Sequence, residues 1–91
     1  MKATVRVPTV LRPHTGGAAV VEAEGVTLGA LLTDLGERHP GITERILDPG
    51  GGLHRFVNVF VGDEDVRYLE GLDTPISEGT EVSILPAVAG G

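Results

Sequence analysis

The sequence predicts a small α+β domain, in which a mixed β-sheet is covered on one face by a single main helix. Segments near both ends and in the middle of the chain alternate apolar and polar residues, which is the period of a β-strand. One segment between them carries four leucines at helical spacing. The 91 residues are enough for one domain with a core of modest size.

The first 25 residues are predicted to form a hairpin. Residues 3–11 alternate as a strand does, and residues 18–24 (AAVVEAE) have the pattern of a second strand. RPHTGG at 12–17 is a turn cluster whose two glycines can adopt positive φ. Pro8 has no N–H to donate to a strand ladder, so it favours a sheet edge or a bulge.

The helix is predicted to begin after Thr27, a good N-cap residue, and to end at Pro40. Its apolar stripe follows the spacing i, i+3, i+4, i+7 and consists of Leu28, Leu31, Leu32 and Leu35. Gly29 and Gly36 each weaken the helix by about 1 kcal/mol relative to alanine. Packing of the leucines must therefore hold it. ITERIL at 42–47 allows one more short helical turn.

The second half of the chain contains the strongest strand prediction, LHRFVNVFVG at 53–62. One face carries Val57, Val59 and Val61, and the other carries Phe56, Asn58 and Phe60. GDED at 62–65 should turn the chain into a short strand at 66–69, and a polar connection with one helical turn leads to the last strand at 80–86. If the first and last strands lie side by side in parallel, the arrangement is a β-grasp.

Charge and cysteine content exclude several function classes. The chain has 13 acidic and 7 basic side chains and a net charge of −6, so we expect no nucleic-acid partner and rather a basic protein surface. The absence of cysteine excludes a disulfide framework, a thiolate zinc site, an iron–sulfur cluster and a cysteine nucleophile. No apolar run is long enough for a membrane span, and we expect a cytoplasmic protein.

Three sets of residues are of types found in metal or phosphate sites, but each has a simpler explanation. Three histidines (His14, His39 and His54) lack the spacing of metal ligands. The acidic run at 63–65 fits a hairpin turn better than a calcium loop, and the glycine clusters lack the lysine of a phosphate-binding loop. We therefore predict no metal and no bound cofactor. An acidic patch for a basic partner stays open, with Glu64, Asp65, Glu78 and Glu81 as its members.

Three segments, in order along the chain, carry a resemblance to a known family. They are VPTVLRPHTGG near the start, LHRFVNVFVGDEDVR in the middle and LDTPISEGTEVSILPAVAGG at the end. Together they resemble the ubiquitin-like sulfur-carrier proteins of the ThiS and MoaD family, in particular the actinobacterial branch that serves cysteine synthesis. The resemblance spans essentially the whole chain and implies a β-grasp fold. Because the first strand lies inside the sheet in that fold, Pro8 should lie at a bulge or a strand end.

The resemblance implies a reaction cycle at the C-terminal carboxylate of Gly91. An E1-like enzyme would adenylate this carboxylate with ATP and magnesium, and sulfur would then replace AMP to leave a thiocarboxylate. In the branch that the chain resembles, a PLP-dependent cysteine synthase uses this sulfur on an aminoacrylate made from O-phosphoserine, and a JAB-type zinc peptidase releases cysteine. The carrier itself would be a monomeric co-substrate without catalytic side chains.

The end of the chain suits this chemistry. We expect a globular domain at 1–86 and a flexible reactive tail at 87–91, which reaches at most about 17 Å when extended. Glycines at the last two positions leave the terminal carbonyl uncrowded and the tail narrow. The residues expected to bind partners are Pro86, Ala87, Val88, Ala89 and Gly90 in the chain end, with Phe56 and Phe60 as docking residues. Val88 either anchors in a partner's pocket or packs on its own sheet, and each phenylalanine is either a core or a docking residue.

Two classes of function stay open. The first is a sulfur carrier for cysteine synthesis, or for another pathway such as that of a thiosugar, thiamin or molybdopterin. The second is a ubiquitin-like modifier that is conjugated to lysine through Gly91. An enzyme is disfavoured, because no activated side chain is apparent.

Overall fold

The computed structural model describes residues 1–54 and 57–86. Within these residues five strands form a mixed sheet in the order β2-β1-β5-β3-β4. The strands are β1 (Lys2–Arg6), β2 (Val20–Glu24), β3 (Val57–Val61), β4 (Glu64–Asp65) and β5 (Thr80–Pro86). β1 and β5 pair in parallel, and all other neighbours are antiparallel. This is the predicted β-grasp arrangement, and the α+β fold class is confirmed.

The main helix lies where the leucine spacing predicted it. α1 (Leu28–Arg38) begins at Thr27, whose Oγ1 accepts a hydrogen bond from the backbone N–H of Ala30 at 3.2 Å. All four leucines of the stripe are fully buried. A second helix, α2 (Thr43–Ile46), supplies the short turn that was expected after Pro40.

Gly36 explains why α1 tolerates a poor helix former. A Cβ on Gly36 would lie 2.5 Å from Cγ2 of Thr43, well inside van der Waals contact. The missing side chain therefore lets α2 pack directly against α1. The close packing of the two helices offsets the cost of glycine in the helix interior, about 1 kcal/mol.

The core lies between the sheet and the two helices. Each strand of the central part of the sheet sends alternate side chains into it, including Val5, Val59, Val82 and Ile84. The helices contribute the leucine stripe together with Ile42 and Ile46. Val57 and Val59 are buried and Val61 is partly buried, so the predicted alternation of β3 is confirmed and its valine face is the one that lies against the core.

The prediction of a strand over 3–11 is wrong beyond Arg6. A 3₁₀ helix (Thr9–Thr15) follows β1, and Leu11 donates its N–H to the carbonyl oxygen of Pro8 at 2.9 Å. Pro8 lies just past the end of β1, as expected, because it cannot donate to the ladder. Gly16 and Gly17 adopt positive φ and carry the chain into β2.

The prediction of a short strand at 66–69 is also wrong. Gly62 has a φ of 63° and reverses the chain early, so that β4 pairs with β3 already at Glu64 and Asp65. Oδ1 of Asp65 then accepts a hydrogen bond from the N–H of Arg67 at 2.9 Å and caps a 3₁₀ turn (Val66–Tyr68). A further 3₁₀ turn at Gly71–Asp73 lies at the start of the polar connection, where one helical turn was expected.

Candidate functional site

The end of β5 is where the structure approaches the predicted reactive tail. Pro86 is the last described residue, and its backbone lies in register with Val57 of β3. The other residues predicted to act at the chain end lie outside the described residues. They are Ala87, Val88, Ala89, Gly90 and Gly91, and Phe56 also lies outside the described residues. Their roles, and the boundary at residue 86, stay predictions. The structure does describe the surface around the end of β5.

The sheet face opposite α1 forms this surface, which we call the open face. The strand register places one row of side chains across all five strands of the open face. Its members, from β2 to β4, are Val20, Arg6, Ser83, Phe60 and Asp65. Leu85 and Asn58 form the next pair towards the chain end. Val20 is 49% exposed and Leu85 is 48% exposed, so apolar surface is concentrated at this end of the face.

The opposite end of the open face is acidic. Thr4 lies in register with Glu22 on one side and with Glu81 on the other. Glu81 also forms an exposed ion pair with Arg6, with Nε and Oε1 separated by 3.2 Å. Such a pair contributes at most about 1 kcal/mol. The open face therefore changes from acidic to apolar along β5, in the direction of Pro86.

Phe60 lies on the open face, where it is half-buried and does not belong to the core cluster. This position agrees with the alternation predicted for β3. It leaves the ring partly accessible to a partner, but its role in docking stays a prediction. Tyr68 is the most exposed aromatic residue of the described chain, at 88%, and no periodic pattern predicted its exposure.

Arg67 holds the start of β3, which lies opposite the end of β5, through several hydrogen bonds. Its Nη2 donates to the carbonyl oxygens of Val57 at 2.8 Å and of His54 at 3.1 Å, and its Nη1 donates to Oδ1 of Asn58 at 2.5 Å. Because Val57 is the register partner of Pro86, these bonds hold the strand beside which β5 ends. No sequence pattern predicted this role, although Arg67 is the last residue of the segment LHRFVNVFVGDEDVR.

The described residues contain no group of three or more histidine, aspartate or glutamate side chains arranged to hold a metal ion. Over 1–54 and 57–86 there is also no helix that is both long enough and apolar enough to cross a membrane.

A parallel β1–β5 pair at the centre of a mixed sheet, with one main helix across it, defines a ubiquitin-like β-grasp protein. A model of the ThiS family matches residues 5–91, and the chain belongs to this family.

Individual relatives agree with this assignment. The sulfur carrier protein CysO of Mycobacterium tuberculosis is 58% identical over the full length of both chains. Its crystal structure covers 94% of this chain and 99% of its own, with a TM-score of 0.91. A chain in the crystal structure of the Amycolatopsis orientalis BexX/CysO complex is 49% identical, with coverage of 98% and 99% and a TM-score of 0.92. Small archaeal modifier protein 3 of Haloferax volcanii is 32% identical over 68 residues, or 75% of this chain and 73% of that protein.

Membership of the family confirms the expectation of a sulfur carrier and not of an enzyme. The resemblance stated from the three sequence segments is confirmed as well.

Proposed function

We propose that the protein carries sulfur as a thiocarboxylate at Gly91 and delivers it for cysteine synthesis. The observation that supports this most directly is full-length similarity to a sulfur carrier, combined with an exposed apolar surface at the end of β5. The tail that follows Pro86 is five residues long and reaches about 17 Å from this surface. The body can thus rest on a partner while the carboxylate enters that partner's active site.

The chemistry requires nothing of the carrier except an accessible terminus. A carboxylate is a poor electrophile, so an E1-like enzyme joins a carboxylate oxygen of Gly91 to the α-phosphorus of ATP, with magnesium, and releases pyrophosphate. A sulfur nucleophile then attacks the carbonyl and expels AMP. The resulting thioacid is more acidic than a thiol and is ionised at neutral pH, so it is nucleophilic without a local base. The carrier binds no cofactor of its own in this scheme.

The apolar end of the open face is the docking surface in this proposal. This end of the face includes Val20, Phe60 and Leu85. A partner that covers these residues would also receive the tail. The solved complex of BexX with CysO involves a relative of this chain, which supports docking of the folded body on a partner protein. Phe56, Ala87, Val88, Ala89 and Gly90 would extend the contact, with the narrow Gly-Gly end at the partner's reacting centre.

The partners follow from the family branch. An E1-like enzyme loads the carrier, a PLP-dependent cysteine synthase accepts the sulfur and a JAB-type zinc peptidase releases cysteine from the carrier's end. The CysO relative supports this route over thiosugar, thiamin or molybdopterin synthesis. The carrier acts as a cytoplasmic monomer, because each transfer requires it to leave one partner and bind the next.

A ubiquitin-like modifier is the second candidate function, and the similarity to small archaeal modifier protein 3 supports it. The two functions differ in the fate of Gly91. A carrier returns to a free carboxylate, whereas a modifier ends in an isopeptide bond to lysine.

Intact-mass spectrometry separates the two. The chain is incubated with its activating enzyme, ATP and a sulfur source, and a sample without ATP serves as the control. A gain of about 16 Da, from the exchange of oxygen for sulfur, is expected only with ATP. Lysine-linked conjugates without any such species would favour the modifier and contradict the carrier.

A further inference from the structure

The segment VPTVLRPHTGG belongs to the family resemblance but has no part in the chemistry at Gly91. The structure shows what this segment builds. Together with the ends of β2 and β5 it lines a groove of about 370 Å³ beside the end of the open face. The walls include Val7, Pro8, Val20 and Leu85. The groove also contains two guanidinium groups, from Arg6 and Arg12, and no acidic residue lines it among the described residues.

Arg12 is held in a fixed position at this groove. Its carbonyl oxygen accepts a hydrogen bond from the N–H of Gly17 at 2.8 Å and lies 3.1 Å from the hydroxyl oxygen of Thr15. Its Nε donates to the carbonyl oxygen of Val7 at 3.2 Å. Leu11 and Thr15 on either side are buried and hold the 3₁₀ helix against the body. The guanidinium is therefore oriented before any ligand arrives.

The outer edge of this guanidinium is available. Among the residues that the structure describes, Nη1 and Nη2 of Arg12 make no hydrogen bond. Its planar fork matches a carboxylate with two parallel hydrogen bonds. Arg6 is already paired with Glu81, so Arg12 provides the main positive charge. This charge stands out in a chain whose net charge is −6.

We infer that the groove binds a segment of a partner protein in which a carboxylate side chain lies between apolar side chains. The Arg12 fork would take the carboxylate, and Pro8, Val20 and Leu85 would cover the flanking apolar groups. Charge complementarity selects this occupant, because a purely apolar segment would leave the fork unpaired and a small anion would leave the walls uncovered. The groove adjoins Leu85, so the bound segment would lie beside the end of β5.

The test is a titration of the ¹⁵N-labelled full chain with the peptide acetyl-Val-Glu-Leu-amide, followed by NMR, with no activating enzyme present. We expect shifts at the amides of Val7, Val20 and Ser83, and affinity that falls as salt is raised. A peptide with Gln in place of Glu should bind about tenfold more weakly, because it offers no charge to the fork. The variant Arg12→Gln should lose affinity for the Glu peptide to a similar degree.

Arg38→Gln is the matched control, since Arg38 lies on α1, pairs with Asp34 at 2.7 Å and does not line the groove. Arg12→Lys retains the charge without the fork and should bind with intermediate affinity. Equal binding of the Glu and Gln peptides, unchanged binding by Arg12→Gln, or no shifts at the groove would overturn the inference. Identical shifts with inorganic phosphate alone would also overturn it, because they would show a simple anion site. Since sulfur loading is not part of the experiment, its outcome is independent of the proposed carrier function.

Discussion

The two faces of the sheet come from the same strands but have opposite surroundings. On the helix side, Val5, Val59 and Val82 belong to the core cluster that includes the leucines of α1, and they have almost no exposed surface. On the open face, their chain neighbours Arg6, Phe60 and Ser83 are exposed or half-buried. In strands the side chains alternate, so each strand contributes to both faces at once.

Because of this difference, we expect the helix side of the sheet to determine stability and the open face to determine partner binding. The helix side contains the buried apolar area that stabilises the fold, at about 25 cal/mol for each Å² removed from water. The open face contributes little to the core, and its apolar end lies beside the end of β5. Substitutions on the two faces should therefore affect different measurements.

The largest effect is expected from Leu32→Ala on the helix side. Leu32 is fully buried in the stripe of α1, so the substitution should lower the free energy of unfolding by about 2–5 kcal/mol. Urea denaturation followed by circular dichroism measures this. Leu85→Ala makes the same change on the open face and should cost less than about 1 kcal/mol. Similar losses for the two variants would contradict the division between the faces.

Gly36→Ala in α1 should have the next largest effect on the free energy of unfolding. Alanine is the better helix former by about 1 kcal/mol, but its Cβ would meet Cγ2 of Thr43 at 2.5 Å and force α2 away from α1. We expect a net loss of about 1–3 kcal/mol in the same denaturation experiment. Thr43→Ser removes Cγ2, so the double variant should recover part of the loss. A stabilised Gly36→Ala protein would show that the two helices do not pack as described.

A smaller effect, on binding and not on folding, is expected from Phe60→Ala. If the apolar end of the open face docks on the activating enzyme, this variant should bind it about tenfold more weakly by isothermal titration calorimetry. Its stability should fall by only about 1 kcal/mol, because the ring is half-buried outside the core. Glu22→Ala, at the acidic end of the same face, is the control and should bind normally. Equal affinities of the two variants would place the docking surface elsewhere.

The sequence contained enough information for the helix side but not for the open face. The stripe of α1 and the alternation of β3 follow from local periodicity, the cap at Thr27 follows from residue type, and all three are confirmed. The strand predictions over 3–11 and 66–69 were wrong where they extend into 3₁₀ segments. Within each overlap one side chain, Leu11 or Val66, is buried and satisfies an alternating pattern equally well.

The open face depends on contacts that no local pattern encodes. The row that joins Val20, Arg6 and Phe60 exists only because three strand pairings have a particular register. The hydrogen bonds of Arg67 to Val57 likewise require β3 and the turn after β4 to lie together. The bond from Arg12 to Val7 needs the 3₁₀ helix, which the strand prediction over 3–11 precluded.

The most direct test compares the full chain with a variant that lacks Gly91, under the loading conditions described above. If the chemistry takes place at the terminal carbonyl of Gly91, the full chain gains about 16 Da from the exchange of oxygen for sulfur. The truncated variant gains no mass. Both should unfold at nearly the same temperature, because a terminal residue contributes little packing. An equal mass gain in the truncated variant would contradict the proposed role of Gly91.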